Sequence, residues 1–259
     1  MQSLTVTGSG SFGLRPTDPV DLRADAQSPD IAALAHVATG KTFDASGALT
    51  ASTHLTGNAR APQIAATFDV TNARYSTLVA PRVHAALAAS GGIVALNDAE
   101  VELKHGALRA GARVPFDVQR GVLSGNAPLS ATLQADKLDV SDLAPLLPKG
   151  TSLAGLIDGT LQVAGSAHAP TASGALALSG GTFSSPQLRS PLRNVAARLA
   201  LQNRVATLTG VHADIGKGSV DASGAATIGD LRNPAKELAF HVNARANGVQ
   251  LVTMRLHPA

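Results

Sequence analysis

Residues 155–183 read GLIDGTLQVAGSAHAPTASGALALSGGTF. Ile157, Gly159, Leu161 and Val163 fall at every second position, and Leu176 and Leu178 resume that step after a turn built on Ala167-His168-Ala169-Pro170. Successive side chains of a strand point to opposite faces, so this alternation, bounded by Gly and Pro, predicts two strands and a connection. The same text stands 108 residues earlier, as GALTASTHLTGNARAPQIAATFDVTNARY over residues 47–75. The shift sets Gly47 on Gly155, Gly57 on Gly165, Ala61-Pro62 on Ala169-Pro170, Phe68 on Leu176, Val70 on Leu178 and Tyr75 on Phe183. The chain is therefore a repeat protein, and its function is to be sought in what the repeats build together.

The match continues outward. Val83, Ala85, Leu87 and Ala89 precede Val195, Ala197, Leu199 and Leu201 by 112 residues, and Leu129, Ala131, Leu133 and Ala135 precede Leu238, Phe240, Val242 and Ala244 by 109. The extra residues fall in the loop over 184–194, where added length costs little closure entropy. Ile31, Leu34 and Ala35 are spaced for a helix, with Asp30 as N-cap and Gly40 as stop, which predicts a short helix over 30–38. The related run from Val140 to Leu147 predicts a second over 140–147. One unit is about 110 residues, five or six strands and then one short helix. Residues 1–40 read as the tail of a preceding unit, 41–150 as unit one and 151–259 as unit two, truncated at its terminal helix. Strands of about ten residues joined directly by Gly/Pro/Asn turns must pair antiparallel, because parallel neighbours need a long crossover. The expected fold is all-β: an elongated, curved antiparallel sheet.

Composition supports thin β-structure. Charged residues make up 15% of the chain and aromatics 3%, with no Trp, well below the charged quarter of an ordinary domain. The net charge of +3 comes from scattered side chains. A nucleic-acid surface needs a basic stripe interleaved with stacking aromatics, and neither is present. Without Cys there are no disulfides and no thiolate metal sites. Residues 1–20 hold no apolar h-region and no window approaches 18 apolar residues, so no signal peptide or membrane span is read here. If the protein works outside the cytoplasm, its membrane anchor is expected on a missing N-terminal segment.

Each strand has a polar and an apolar face, and the apolar face must be covered. Some twelve strands twist and curl together, and one short helix per unit cannot cover them. Many inner positions are Ala (Ala51, Ala66, Ala85, Ala89, Ala197, Ala222, Ala226). A half-open apolar groove and a closed sandwich both satisfy this pattern. In the groove, Leu161, Val163, Leu176, Leu178, Leu199, Leu201, Val220, Ile228, Phe240 and Val242 face one concavity, together with their unit-one counterparts Leu55, Phe68, Val70, Leu87 and Leu133.

The stretch 155–183, the later turn Gly216-Lys217-Gly218 leading to Val220-Asp221-Ala222-Ser223-Gly224, and the helix-bearing link after it resemble the repeating region of the TamB family of translocation and assembly proteins, with AsmA-like proteins as close cousins. Unit one departs from the pattern, with Asn72-Ala73 at the place of Gly180-Gly181 and Lys104-His105-Gly106 at the Gly-Lys-Gly turn. The resemblance covers essentially the whole chain. It implies a β-taco, an open trough with an apolar lining, anchored in the inner membrane and spanning the periplasm. It further implies phospholipid acyl chains as cargo and an outer-membrane assembly barrel protein as a partner.

Catalytic chemistry finds little support. Asp98, Glu100 and Glu102 alternate on one strand face, as a hard-cation or acid–base cluster would, but unit two places Gly210, His212 and Asp214 there. The eight His never adopt the His-x-x-x-His spacing of a metal site. No Gly-x-Ser-x-Gly elbow occurs, and Gly8-Ser9-Gly10-Ser11-Phe12-Gly13 opens no helix with Lys-Ser or Lys-Thr. The reading is of a protein that is not an enzyme and has no cofactor. A structural periplasmic spacer or a β-solenoid adhesin is the alternative, although solenoid coils repeat every 20–30 residues and the self-similarity here is near 110.

Overall fold

The computed structural model describes residues 4–32, 45–75, 78–117, 122–123, 127–142, 150–166, 168–186, 188, 190–228 and 238–248. Alternation builds a run of strands: β1 (Thr5–Phe12), β2 (Val20–Ser28), β3 (Ala45–Asn58), β4 (Ala61–Tyr75), β5 (Leu78–Ser90), β6 (Ile93–Glu102), β7 (Ala107–Asp117), β8 (Val122–Leu123), β9 (Pro128–Asp139), β10 (Ser152–Ser166), β11 (Pro170–Ser184), β12 (Leu192–Asn203), β13 (Val205–Ile215), β14 (Gly218–Ile228) and β15 (Leu238–Asn247). Every pairing is antiparallel, and each strand lies beside its neighbour in sequence, except that β7 pairs β9 and the two-residue β8 pairs only β7. The result is one open meander, as the turn-linked strands require. Strands run from 8 to 15 residues apart from β8, longer in places than the ten expected.

The similarity between residues 47–75 and 155–183 extends to backbone conformation. Gly47 and Gly155 have φ of 142° and 135°, Gly57 and Gly165 of 93° and 96°, and Asn72 and Gly180 of 52° and 59°. Asn is the non-glycine residue that best tolerates the left-handed region, so its substitution for Gly at this step leaves the backbone unchanged. Bulges recur as well, at Ser46/Ala48 and Ala154/Leu156, and at Leu96/Ala99 and Leu208/Val211. Each adds twist and bend to its strand pair.

Asp30 caps the first expected helix. Its Oδ1 accepts from the Ala32 N–H at 2.9 Å, and residues 31–32 are helical. Asp139 does the same for Ser141 at 2.8 Å, where residues 140–142 make a 3₁₀ turn. The remainder of the helices expected over 30–38 and 140–147, and the terminal helix of unit two, lie outside the described residues.

The apolar face does not close into a sandwich. No large side chain is fully buried among the described residues, and strands pack only on their hydrogen-bonded neighbours. The buried cluster is small: Ala80, Leu103, Ala135 and Leu138, with Leu78, Val83, Val101, Leu108 and Ile157 against it. The meander gives the sheet two rims. The lower rim carries the connections over 13–19, 59–60, 91–92, 167–169 and residue 204, and the upper rim those over 103–106, 140–151, 185–191 and 216–217. The cluster lies wholly in the upper half.

Candidate functional site

Cross-strand partners in an antiparallel sheet share a face, so the register can be followed from one edge strand to the other. One row runs Val6, Ala26, Ala51, Phe68, Ala85, Ala99, Ala110, Leu133, Leu161, Gly174, Leu201, Ala206, Ala226, Phe240. No polar side chain interrupts it. Fourteen strands spaced by about 4.8 Å make a continuous apolar line of about 60 Å. A second row runs parallel to it toward the upper rim, from Leu49 through Val70, Val83, Val101, Leu108, Ala135, Gly159, Leu176, Leu199, Leu208 and Gly224 to Val242.

The sequence-derived positions sort onto these rows and their neighbours. Phe68, Leu133, Leu161, Leu201 and Phe240 are on the first; Val70, Leu176, Leu199 and Val242 are on the second. Leu87 and Val163 share the next row toward the lower rim, joined through Leu96, Ala112 and Ala131. Leu55 lies beyond them, beside Leu22 and Ile64. Leu178 sits toward the upper rim, between Ile157 and Ala197, and Val220 lies between Ala213 and Ala246. Ile228 pairs with Leu238 in register. Sequence reasoning left out Leu49, Val101 and Leu208, which alternate as clearly as the rest, and Leu138 and Val140. These last two join the apolar face only because Lys137, at φ 46°, shifts the register of β9 by one residue.

Openness differs along the face. Leu138 and Val140 are 4% and 3% exposed, whereas Ile64 is 41%, Leu133 45%, Val242 59% and Phe240 74%. The upper half in β5–β10 is filled by its own side chains; the lower half and both edge strands are open.

The opposite face is polar and ion-paired. The carboxylates expected to alternate on β6 lie within a ladder: Glu100 Oε1 is 2.7 Å from Arg109, whose other nitrogen donates to Asp136 at 2.9 Å, and Glu102 is 3.9 Å from Arg82. Asp69 Oδ1 accepts from Arg82 Nη2 at 2.6 Å and lies 3.0 Å from His84 Nδ1. The Arg82 bond, then the His84 bond, hold the Asp69 carboxyl below its usual range. Asp69 in turn raises Arg82, and Asp136 and Glu100 raise Arg109. Further along, His212 Nδ1 lies 2.8 Å from Asp221 and Nε2 lies 3.3 Å from Asp214, which raise its pKa, Asp221 foremost. Two depressions of about 520 and 690 Å³ open on this polar face, one beside Arg23, Ser52 and His54 and the other beside His212, Asp221 and Arg245. Among the described residues, no three His, Asp or Glu converge to hold a metal, and no helix is long and apolar enough to cross a membrane.

Residues 2–211 match the family model described as the TamB C-terminal domain. No curated protein and no solved structure matched the sequence.

Proposed function

Because this chain belongs to the TamB family, an envelope-associated family of transport and assembly rather than catalysis, we propose that its apolar face conducts phospholipid acyl chains between the inner and outer membranes. The observation that carries this reading is the uninterrupted apolar row from Val6 to Phe240. A sixteen-carbon chain in water is disfavoured by on the order of 12 kcal/mol, at about 0.8 kcal/mol per methylene. A continuous dry track lowers that barrier without binding any one lipid, while the head group stays in water at the open edge. Small walls of Ala and Gly leave room beside Leu and Phe for a moving chain. The division into a tail over 1–40 and units over 41–150 and 151–259 then has a purpose, since each six-strand unit lengthens the track by about 30 Å. In this reading the protein works in the periplasm, held to the inner membrane by an anchor outside this sequence, and hands its cargo on beside an outer-membrane assembly barrel.

The test is to place Asp at Leu178 or Leu201 and photo-crosslink lipid to the apolar face. An unpaired charge in a dry track is costly, so labelling is expected to fall steeply while circular dichroism still reports a β-sheet. Folded variants with unchanged labelling would replace this reading with that of a structural spacer.

A further inference from the structure

The two rims of the trough are unlike in packing and in charge. In β5–β10 the upper half of the apolar face is occupied by the protein itself. Leu103 is 6% exposed and Leu138 4%, and Leu78, Val83, Val101 and Ile157 close around them. An acyl chain has no room there. In the lower half, Ile64 and Leu133 on the same face are 41% and 45% exposed. The apolar surface continues from them to the hairpin turns, through Leu55, Ala89 and Val94.

Charge follows the same division. At the upper rim Asp139, Asp142 and Asp214 stand among Lys104, Arg193 and Lys217, so positive and negative groups balance. At the lower rim the hairpin tips present Arg60, His168 and Arg204, all exposed. No ion pair engages Arg60 or Arg204 among the described residues. The tip that carries Arg60 is held by Asn58 Oδ1, which accepts the N–H groups of Arg60 and Ala61 at 3.0 Å each. The Asn203 backbone at φ 55° sets the turn that carries Arg204.

We propose that the lower rim is the head-group edge of the track: acyl chains lie over the lower half of the apolar face, and Arg60 and Arg204 bind the phosphate of an anionic phospholipid as it passes. This assignment rests on the lipid-track reading above. It gives the cargo one orientation, with tails pointing toward the filled upper half and phosphates aligned along one side. Exposed arginines on fixed turns suit a transient contact, because each such ion pair is weak and quickly broken.

The test uses the whole chain with a photo-crosslinking residue placed in turn at Ile64, Leu133, Leu103 and Leu138, mixed with vesicles of phosphatidylglycerol or of diacylglycerol in phosphatidylcholine. Lipid adducts are expected at Ile64 and Leu133 and not at Leu103 or Leu138. In the Arg60→Gln, Arg204→Gln double variant, phosphatidylglycerol adducts at Ile64 are expected to fall about fivefold at low salt, what two exposed charge contacts are worth. The loss shrinks at high salt, where such charges are screened, and diacylglycerol adducts are unchanged. Equal labelling at Leu103 and Leu138 in protein that keeps its β-sheet spectrum would overturn the rim assignment while leaving the lipid track standing. Unchanged phosphatidylglycerol labelling in the double variant would overturn the phosphate contact, and this result does not depend on probes at buried sites. Labelling at none of the four positions would overturn the lipid-track reading itself.

Discussion

Gly174 pairs with Leu161 across β10 and β11 and with Leu201 across β11 and β12, at a φ of 138°. A Cβ there would collide with the Thr160 carbonyl oxygen and the Leu161 backbone. The absent side chain therefore lets two leucines of the first apolar row approach over a flat strand. Gly174→Ala is expected to destabilise by about 2 kcal/mol or more, from forbidden backbone geometry and overpacking together. Urea denaturation followed by circular dichroism measures it.

Gly180 gives the opposite outcome from the same kind of φ. It sits at 59° with nothing within 4 Å of an added Cβ, and Asn72 occupies the corresponding step at 52°. Gly180→Asn is expected to shift stability by only a few tenths of a kcal/mol, whereas Gly180→Val is expected to cost about 1–2 kcal/mol, the penalty of the left-handed region. The same urea titration separates them.

Leu138 and Leu133 are five residues apart on one strand and one face, yet their surroundings differ. Leu138, at 4% exposure, anchors the upper-rim cluster, and Leu133, at 45%, lies on the open track. Leu138→Ala is expected to cost about 2–4 kcal/mol through lost burial and a cavity, and Leu133→Ala less than about 1 kcal/mol. Comparable losses in thermal or urea unfolding would mean that the two halves of the face are equally packed.

Two ionisable groups on the polar face move in opposite directions with pH. Asp69 is held below its ordinary value by Arg82 and then His84, so its contribution is present above about pH 4 and lost as pH falls through the lowered value. Asp69→Asn is therefore expected to destabilise slightly at neutral pH, by less than about 1 kcal/mol for so exposed a pair, and not at pH 2. His212 is raised by Asp221 and Asp214, so its contribution is present below its unfolded value and lost as pH rises through the folded one. An NMR titration of the His212 ring is expected to show a midpoint above 6.5, falling in Asp221→Asn.

Much of this was legible in the residues because strand alternation has a period of two. Once Gly47–Tyr75 and Gly155–Phe183 are aligned, the faces of Phe68, Val70, Leu176 and Leu178 follow, and turns such as Gly91-Gly92 leave only antiparallel pairing. Asp30 as an N-cap was legible for the same local reason. Features that depend on register were not. The pairing of Glu100 with Arg109 and Asp136, and of Asp69 with Arg82, joins strands whose offset no single strand encodes. The filled upper rim depends on the shift at Lys137, a non-glycine residue at positive φ, which carries Leu138 and Val140 onto the apolar face against simple alternation. Whether the sheet would stay open or close into a sandwich was likewise undecided by pattern. The exposure of Leu133, Ile64 and Phe240 answers it, because two packed sheets would bury such side chains.

The central claim is that one face of the sheet, and not the other, carries lipid. Leu161 and Gln162 are consecutive on β10, pointing to the apolar and polar faces, and differ little in distance from every other feature of the molecule. The direct measurement places the same photo-crosslinking residue at each position in living cells and quantifies phospholipid adducts on the purified protein by mass spectrometry. The account predicts abundant adducts at Leu161 and near-background adducts at Gln162. Equal labelling at the two positions, or none at Leu161, would contradict it.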